Sequence, residues 1–211
     1  MTGEPLNRRA FFRKGLRDVA HTLVEAKEAI ANRTRPTASV NEQSPLFRLR
    51  PPGAVEETKF LERCTSCDLC FDACPVECIQ RVPEGMRDAG TPFIDASERA
   101  CAVCTDLNCT KVCPEDALQP LESWREIQMG IAEVREFACI AFLGTTCRAC
   151  HDICPTLPRA ITLQNSRPQV IPDLCIGCGL CEQACPTQPK AIVVRDHSRD
   201  QWHARQDAEE K

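Results

Sequence analysis

Near one end of this 211-residue chain lies the run Cys175-Ile-Gly-Cys178-Gly-Leu-Cys181-Glu-Gln-Ala-Cys185-Pro186. Two gaps of two residues, a gap of three and a closing proline are the ligand pattern of a [4Fe–4S] cluster. Such a tight loop brings only three thiolates onto one cluster, so its fourth cysteine ligates a second cluster. Gly177 and Gly179 fit the loop, because glycine reaches positive φ and lets backbone N–H groups approach the sulfurs.

Three more cysteine sets end in Cys-Pro, and the run above is therefore called set four. Set one has the same spacing, set two has four residues in its second gap, and set three has seven residues between its first and second cysteines. The pattern predicts four [4Fe–4S] clusters, with these sixteen cysteines as the iron ligands: Cys64, Cys67, Cys70 and Cys74 (set one); Cys101, Cys104, Cys109 and Cys113 (set two); Cys139, Cys147, Cys150 and Cys154 (set three); Cys175, Cys178, Cys181 and Cys185 (set four).

Two positions leave alternatives open. Cys139 is predicted to be a ligand, but without it set three would hold a three-iron cluster or use His151 in place of a thiolate. The favoured interpretation of His151 is a solvated side chain beside the cluster. Cys78 is the seventeenth cysteine and belongs to no set. We expect it to be a small buried residue and not a ligand, because free cysteine is commonly buried.

The cysteine content admits two other interpretations. A disulfide scaffold is disfavoured, because the number of cysteines is odd and disulfide pairing requires no repeated Cys-Pro. A zinc-structured interaction module is the second alternative, since C-x2-C pairs also bind zinc. Iron–sulfur ligation accounts better for four sets that each end in Cys-Pro. No dinucleotide-binding glycine loop and no nucleophile elbow occurs in the sequence, so an electron carrier is predicted and not an enzyme.

Short apolar segments flank the cysteine sets and repeat in the order strand, cysteine loop, helical turn, strand. Two such repeats make a bacterial-type two-cluster ferredoxin module. The predicted fold is therefore α+β, with two modules of short strands and helical turns in residues 47–196. Strands this short bury little core, so the clusters should take that place and the apo protein should be largely unfolded.

Residues 1–46 form a separate basic arm. Residues 1–50 carry a net charge of +5, which leaves −9 for the rest of the chain and argues against nucleic acid as a partner. Apolar residues from Phe12 to Ile30 recur at three- and four-residue steps, which predicts an amphipathic helix followed by a linker. The charged tail, residues 197–211, contains no motif. No stretch is long enough to span a membrane.

The arm also contains Asn7-Arg8-Arg9-Ala10-Phe11-Phe12-Arg13, which resembles the core of a twin-arginine export signal. Charged residues interrupt the apolar region that must follow in a working signal. We therefore expect a cytoplasmic protein, free or associated with a membrane through a partner, and a helix that docks on the body or on a partner. The alternatives are a relict or recognition-only element and export to the periplasm.

Residues 48–194 resemble the NapG/MauM-type polyferredoxins, which are associated with periplasmic nitrate reductase and methylamine dehydrogenase systems. Besides the cysteines, the matching pieces are Leu49-Arg-Pro-Pro-Gly-Ala54, Ala89-Gly-Thr-Pro92, Lys111-Val-Cys-Pro114, Met129-Gly-Ile-Ala132 and Lys190-Ala-Ile192. The resemblance implies an electron-transfer subunit with redox protein partners, a reductase or dehydrogenase or a quinol-linked membrane complex. NapF-type ferredoxins are the competing relatives, and they favour the alternative of a cytoplasmic accessory ferredoxin that matures or reduces a metalloenzyme.

The sets must pair, because each fourth cysteine ligates another set's cluster. Spacing alone allows sequential pairing, in which set one joins set two and set three joins set four. The family resemblance implies nested pairing instead, with set one joined to set four and set two to set three. Cys64, Cys67 and Cys70 would then share a cluster with Cys185.

Overall fold

The computed structural model describes residues 48–195, which all lie in the unit Leu46–Lys211. The predicted arm with its helix and arginine pair, and the predicted tail, lie outside the described residues. Within residues 48–195, none of the helices has the length and apolar character needed to cross a membrane.

Short helices and strands alternate along the described chain. The α-helices are α1 (Glu57–Arg63), α2 (Leu69–Asp72), α3 (Asn108–Lys111), α4 (Ala149–Ile153) and α5 (Leu180–Ala184). The strands are β1 (Ile79–Arg81), β2 (Pro92–Ile94), β3 (Ile131–Val134), β4 (Ile161–Gln164), β5 (Arg167–Val170) and β6 (Ile192–Arg195). Single 3₁₀ turns cover Trp124–Glu126, Glu136–Ala138 and Pro172–Leu174. This mixture of short helices and strands is the ferredoxin-type α+β fold that the repeat predicts.

The strands of the described region pair antiparallel in twos, and the order of pairing occurs twice. In residues 54–118, a bridge between Ala54 and Leu118 joins the two ends and encloses the hairpin of β1 and β2. In residues 131–195, β3 pairs with β6 and encloses the hairpin of β4 and β5. Each half therefore returns to its starting point before the next part of the chain begins.

The hydrophobic core is built largely around sulfur. Its larger cluster of buried residues contains eight cysteines: Cys74, Cys78, Cys101, Cys139, Cys150, Cys178, Cys181 and Cys185. Between them lie fully buried aliphatic side chains such as Ile127 and Ile161. Two-stranded sheets bury little apolar surface by themselves. The thiols therefore occupy the interior positions that larger apolar side chains fill in other small domains.

A buried arginine fastens the segment before set one to its neighbours. Arg50 is only 6% exposed, and its guanidinium lies 4.7 Å from the centre of the Phe60 ring. Its N–H groups donate to Glu57 Oε1 at 2.6 Å and Oε2 at 3.0 Å, Asp88 Oδ2 at 3.0 Å, Thr91 Oγ1 at 2.9 Å and the Pro92 carbonyl at 2.8 Å. One side chain thus joins α1 to the loop between β1 and β2.

Replacing Arg50 with alanine should lower the free energy of unfolding by about 3 kcal/mol, because a buried cation is lost together with its hydrogen bonds to Glu57, Asp88 and Thr91. Urea denaturation of the anaerobically purified protein, followed by far-UV circular dichroism, measures the change. Arg99→Ala is the control, since Arg99 and its partner Glu77 are both well exposed, and it should cost at most about 0.5 kcal/mol. Equal unfolding midpoints for the two variants would contradict the role of Arg50.

Candidate iron–sulfur sites

The sixteen predicted ligands gather at four places, which we name sites A to D. Each site is lined by three cysteines of one set and the fourth cysteine of another. The groups are Cys64, Cys67, Cys70 and Cys113 at site A; Cys101, Cys104, Cys109 and Cys74 at site B; Cys175, Cys178, Cys181 and Cys154 at site C; and Cys139, Cys147, Cys150 and Cys185 at site D. Four thiols facing one space are the donor set of a [4Fe–4S] cluster, so the residues present fit this group.

The nested pairing implied by the family resemblance is wrong. Set one shares its sites with set two, and set three shares its sites with set four. The reason lies in the backbone, because the bridge between Ala54 and Leu118 closes the first half before set three begins. The hairpin of β1 and β2 then places Cys74 beside set two instead of beside a distant part of the chain.

The cysteine loops turn through left-handed residues placed between the ligands. In set four these residues are Gly177 at φ +72° and Gly179 at φ +83°. Set one reaches the same region with Ser66 at φ +53° and Asp68 at φ +66°. These non-glycine residues are strained in such conformations. Each left-handed residue reverses the chain, so that successive thiols point into one site.

Backbone N–H groups donate hydrogen bonds to the sulfurs of three predicted ligands. The backbone N–H of Leu118 donates to Cys113 Sγ at 3.5 Å, and that of Ala132 donates to Cys175 Sγ at 3.4 Å. The Ala191 N–H donates to Cys185 Sγ, also at 3.4 Å. Hydrogen bonds of this kind to ligand sulfurs help to set the potential of a bound cluster. These N–H groups belong to the short apolar segments beside the cysteine sets, so those segments must lie close to the sulfurs.

Two threonines near the sulfurs were not predicted from the sequence. Thr156 Oγ1 lies 3.4 Å from Cys154 Sγ and accepts the Ala160 N–H. Thr187 Oγ1 lies 3.2 Å from Cys185 Sγ and accepts the N–H of Ala191. Each hydroxyl therefore joins the fourth cysteine of its set to the chain that follows. The triplet Cys-Pro-Thr, present in sets three and four but absent from sets one and two, is the signal that could have revealed them.

Cys139 and His151 occupy different surroundings. Cys139 is buried and lines site D with Cys147 and Cys150 of its own set and Cys185 of set four. His151 is not among the residues that line site D, and its Nδ1 lies 3.0 Å from Asp152 Oδ1. Of these two residues, the structure brings Cys139 and not His151 to site D. The assignment of these sixteen cysteines as ligands stays a prediction.

Cys78 lies at site B, although it was predicted to be no ligand. Its side chain is 2% exposed, as expected for a buried cysteine. Its Sγ lies 3.6 Å from Cys74 Sγ, and its thiol also hydrogen bonds to Cys101. That hydrogen bond lowers the pKa of the Cys101 thiol to about 7, although burial opposes the change. Site B therefore presents five thiols.

Sites B and C meet at a backbone contact. The N–H of Cys101, a site B residue, donates to the carbonyl of Cys178, a site C residue, at 3.0 Å. Gln183 supports the contact, since its Oε1 accepts the Ala100 N–H at 3.3 Å and its Nε2 donates to the Glu98 carbonyl at 3.1 Å. The two halves of the chain are therefore joined beside their cysteine loops.

Comparison with known proteins identifies the family of this chain. The 4Fe-4S binding domain family matches residues 58–80 and 168–189, which include sets one and four. The methylamine utilization ferredoxin-type protein MauM of Methylorubrum extorquens is 41% identical over 140 residues, which are 61% of this chain and 64% of that protein. The ferredoxin-type protein NapG of Escherichia coli is 37% identical over 145 residues, 62% of each chain. The chain belongs to the NapG/MauM family of ferredoxin-type proteins.

The family resemblance expected from the sequence is thereby confirmed. The alignments span a little under two thirds of the length of these MauM and NapG relatives. The ferredoxin-type protein NapF of Escherichia coli is 33% identical over 136 residues, which are 61% of this chain and 74% of NapF. The matched 4Fe-4S binding domains confirm an iron–sulfur cofactor, so the zinc interpretation is set aside.

Burial controls the protonation of the thiols in this NapG/MauM-type chain. It raises the pKa of Cys70 to about 12, of Cys150 to about 11 and of Cys178 to about 12, and nearby thiolates add to each rise. Cys185 differs, because hydrogen bonds from Thr187 and from the chain after it outweigh burial and lower its pKa. Iron binds the thiolate form, so cluster loading releases protons from the first three thiols and is favoured by higher pH.

Gly177→Ala should remove the iron of site C in this NapG/MauM-type chain, about four atoms per chain. An added Cβ would lie 2.8 Å from the Gly130 carbonyl carbon, and the Gly130 backbone N and O are closer still. Because residue 177 lies between Cys175 and Cys178, relieving this clash would displace the loop that carries both cysteines. Iron analysis and visible absorption measure the loss.

Gly85→Ala is the matched control for this substitution. Gly85 has a similar φ of +85°, but nothing lies within 4 Å of its added Cβ. This variant bears only the cost of a left-handed alanine, about 1 kcal/mol, and should keep its full iron content. If both variants retained the iron of the parent protein, the close approach to Gly130 would not matter for the site.

Proposed function

We propose that this chain is an electron-transfer protein that holds four [4Fe–4S] clusters in two two-cluster modules. Residues 54–118 would form the module with sites A and B, and residues 131–195 the module with sites C and D. The proposal rests on one observation, the gathering of sixteen cysteines into four groups of four. When bound, each cluster would supply a redox centre whose potential depends on exposure and hydrogen bonds to the sulfurs.

The contacts between neighbouring sites support an arrangement in a row, in the order A, B, C, D. Site A adjoins site B. Burial is the main cause of the raised pKa of Cys109 at site B, and the nearby thiolate of Cys70 at site A adds to that rise. Site B adjoins site C through the bond from Cys101 to Cys178. Site C adjoins site D, because the thiolate of Cys150 contributes to the raised pKa of the buried Cys181. A row of this kind suits a carrier that connects two partners.

We propose redox proteins as those partners, a reductase or dehydrogenase on one side and a quinol-linked membrane complex on the other. The name of the MauM relative links that protein to methylamine utilization, which is consistent with a dehydrogenase-type partner. Site A is the end of the row with the more open thiols, since Cys67 is exposed and none of the cysteines at site D is; Leu69 beside Cys67 is 44% exposed. An apolar, open end would let a partner approach the bound group.

The relationship to NapF favours a second candidate function, a cytoplasmic accessory ferredoxin that matures or reduces a metalloenzyme. The alignment spans more of NapF than of NapG or MauM. In this case the basic residues 1–46 would be a docking element for an acidic surface of the metalloenzyme.

Anaerobic analysis of the purified protein tests the four-cluster assignment. We expect about sixteen iron and sixteen acid-labile sulfide per chain, with EPR signals that appear on dithionite reduction. Cys67→Ala and Cys113→Ala should each lose the iron of site A. Because the two residues share that site, the double variant should lose no more iron than either single variant.

Cys67→Ala combined with Cys185→Ala is the control, since these residues line sites A and D. This double variant should lose about four more iron per chain than Cys67→Ala alone. The opposite pattern, extra loss with Cys113→Ala and none with Cys185→Ala, would restore the nested pairing. A parent protein with about twelve iron or fewer would refute the assignment of four clusters.

We also propose that the protein stays in the cytoplasm with its arm intact, because charged residues interrupt the apolar run after Arg9. Replacing Arg8 and Arg9 with lysine should then leave its location unchanged. Cell fractionation, with mass measurement of the purified chain, tests this. A shortened chain in the periplasmic fraction would overturn it and would favour the export route.

A further inference from the structure

Site B differs from the other three sites in the number of its thiols. Cys74, Cys101, Cys104 and Cys109 line it together with Cys78, whereas four cysteines line each of sites A, C and D. A [4Fe–4S] cluster takes four thiolates. One sulfur at site B is therefore in excess.

Local backbone geometry places Cys78 in reach of the site. Glu77 adopts a left-handed conformation at φ +50°, and its N–H donates to the Cys74 carbonyl at 3.1 Å. This turn brings the chain back over four residues, so that the sulfurs of Cys74 and Cys78 lie 3.6 Å apart. Strand β1 begins directly after Cys78 and its pairing with β2 holds the position of the turn.

We propose that Cys78 is a reserve ligand of site B, able to supply the fourth thiolate when Cys74 cannot. This inference rests on the proposed assignment of site B to a [4Fe–4S] cluster. The Cys78 thiol would lose its proton and its thiolate would form one sulfur–iron bond, while the bond from iron to Cys74 would break and the released Cys74 thiolate would take up a proton. No electron is gained or lost in the exchange.

The position of Cys78 suits a reserve role better than a purely structural one. A sulfur in contact with Cys74 reaches the same region of the site by a small adjustment of side chain and turn. The Cys78 side chain also lines site B together with Cys101, Cys104 and Cys109. With 2% exposure it is also protected from reagents in solution.

Three variants test the proposal: Cys74→Ala, Cys78→Ala and the double variant. We expect each single variant to keep about sixteen iron per chain, because four thiols remain at site B. The double variant should contain between about one and about four iron fewer, for conversion to a three-iron cluster or complete loss, and its reduced EPR spectrum should lack the site B contribution. In Cys74→Ala that contribution should persist with shifted g-values, since one ligand has moved.

Cys185→Ala is the matched control, because it removes a fourth-position cysteine at site D, which has no fifth thiol. It should lose iron where Cys74→Ala does not. Equal iron contents for Cys74→Ala and the double variant, at any level and also after anaerobic reconstitution with iron and sulfide, would overturn the reserve role. So would loss of site B iron from Cys78→Ala alone. A parent protein short of sixteen iron would instead count against the proposed four-cluster function.

Discussion

The structure depends on one constraint: each cysteine loop can direct only three of its four thiols to the same site. Gaps of two residues direct three sulfurs to one site, and the fourth sulfur has to arrive from another set. The chain meets this demand by pairing adjacent sets, through the hairpin of β1 and β2 in the first half and that of β4 and β5 in the second. Strand pairing, helix position and loop conformation all follow from bringing two loops together so that each completes the other.

A core made of thiols links stability to the cofactor. Eight cysteines belong to the main buried cluster, and burial raises the pKa of several of the thiols, for example that of Cys109 to about 12. A neutral thiol contributes modest apolar contacts, whereas a thiolate bound to iron connects several segments at once. The free energy of binding the cofactor is therefore largely free energy of folding. The side-chain network of Arg50 stabilises the periphery of the first half.

The local features of this chain were predictable from its sequence, and the long-range features were not. Cysteine spacing gave the four loops, and the apolar segments gave the short strands, because both depend on neighbours within about ten residues. The pairing of sets escaped prediction, since the loops share nearly the same ligand spacing and any of them could complete any other. The deciding contacts are pairings such as that of Ala54 with Leu118. Both are common apolar residues, and nothing in the sequence around them indicates that they pair. Thr156 and Thr187 escaped because a hydroxyl after Cys-Pro acquires its role only when the loop closes.

Loops with the same ligand spacing are not interchangeable parts. Gly179 in set four lies against Ala96 of the other half, whereas Asp68, which also precedes a short helix in set one, carries a side chain that forms an ion pair with Arg81. A chimera with the loop of set one in place of set four would insert that carboxylate into the junction of the two halves. The four cysteine loops therefore share a ligand spacing but differ in the residues between the ligands, because each loop packs against a different neighbouring surface.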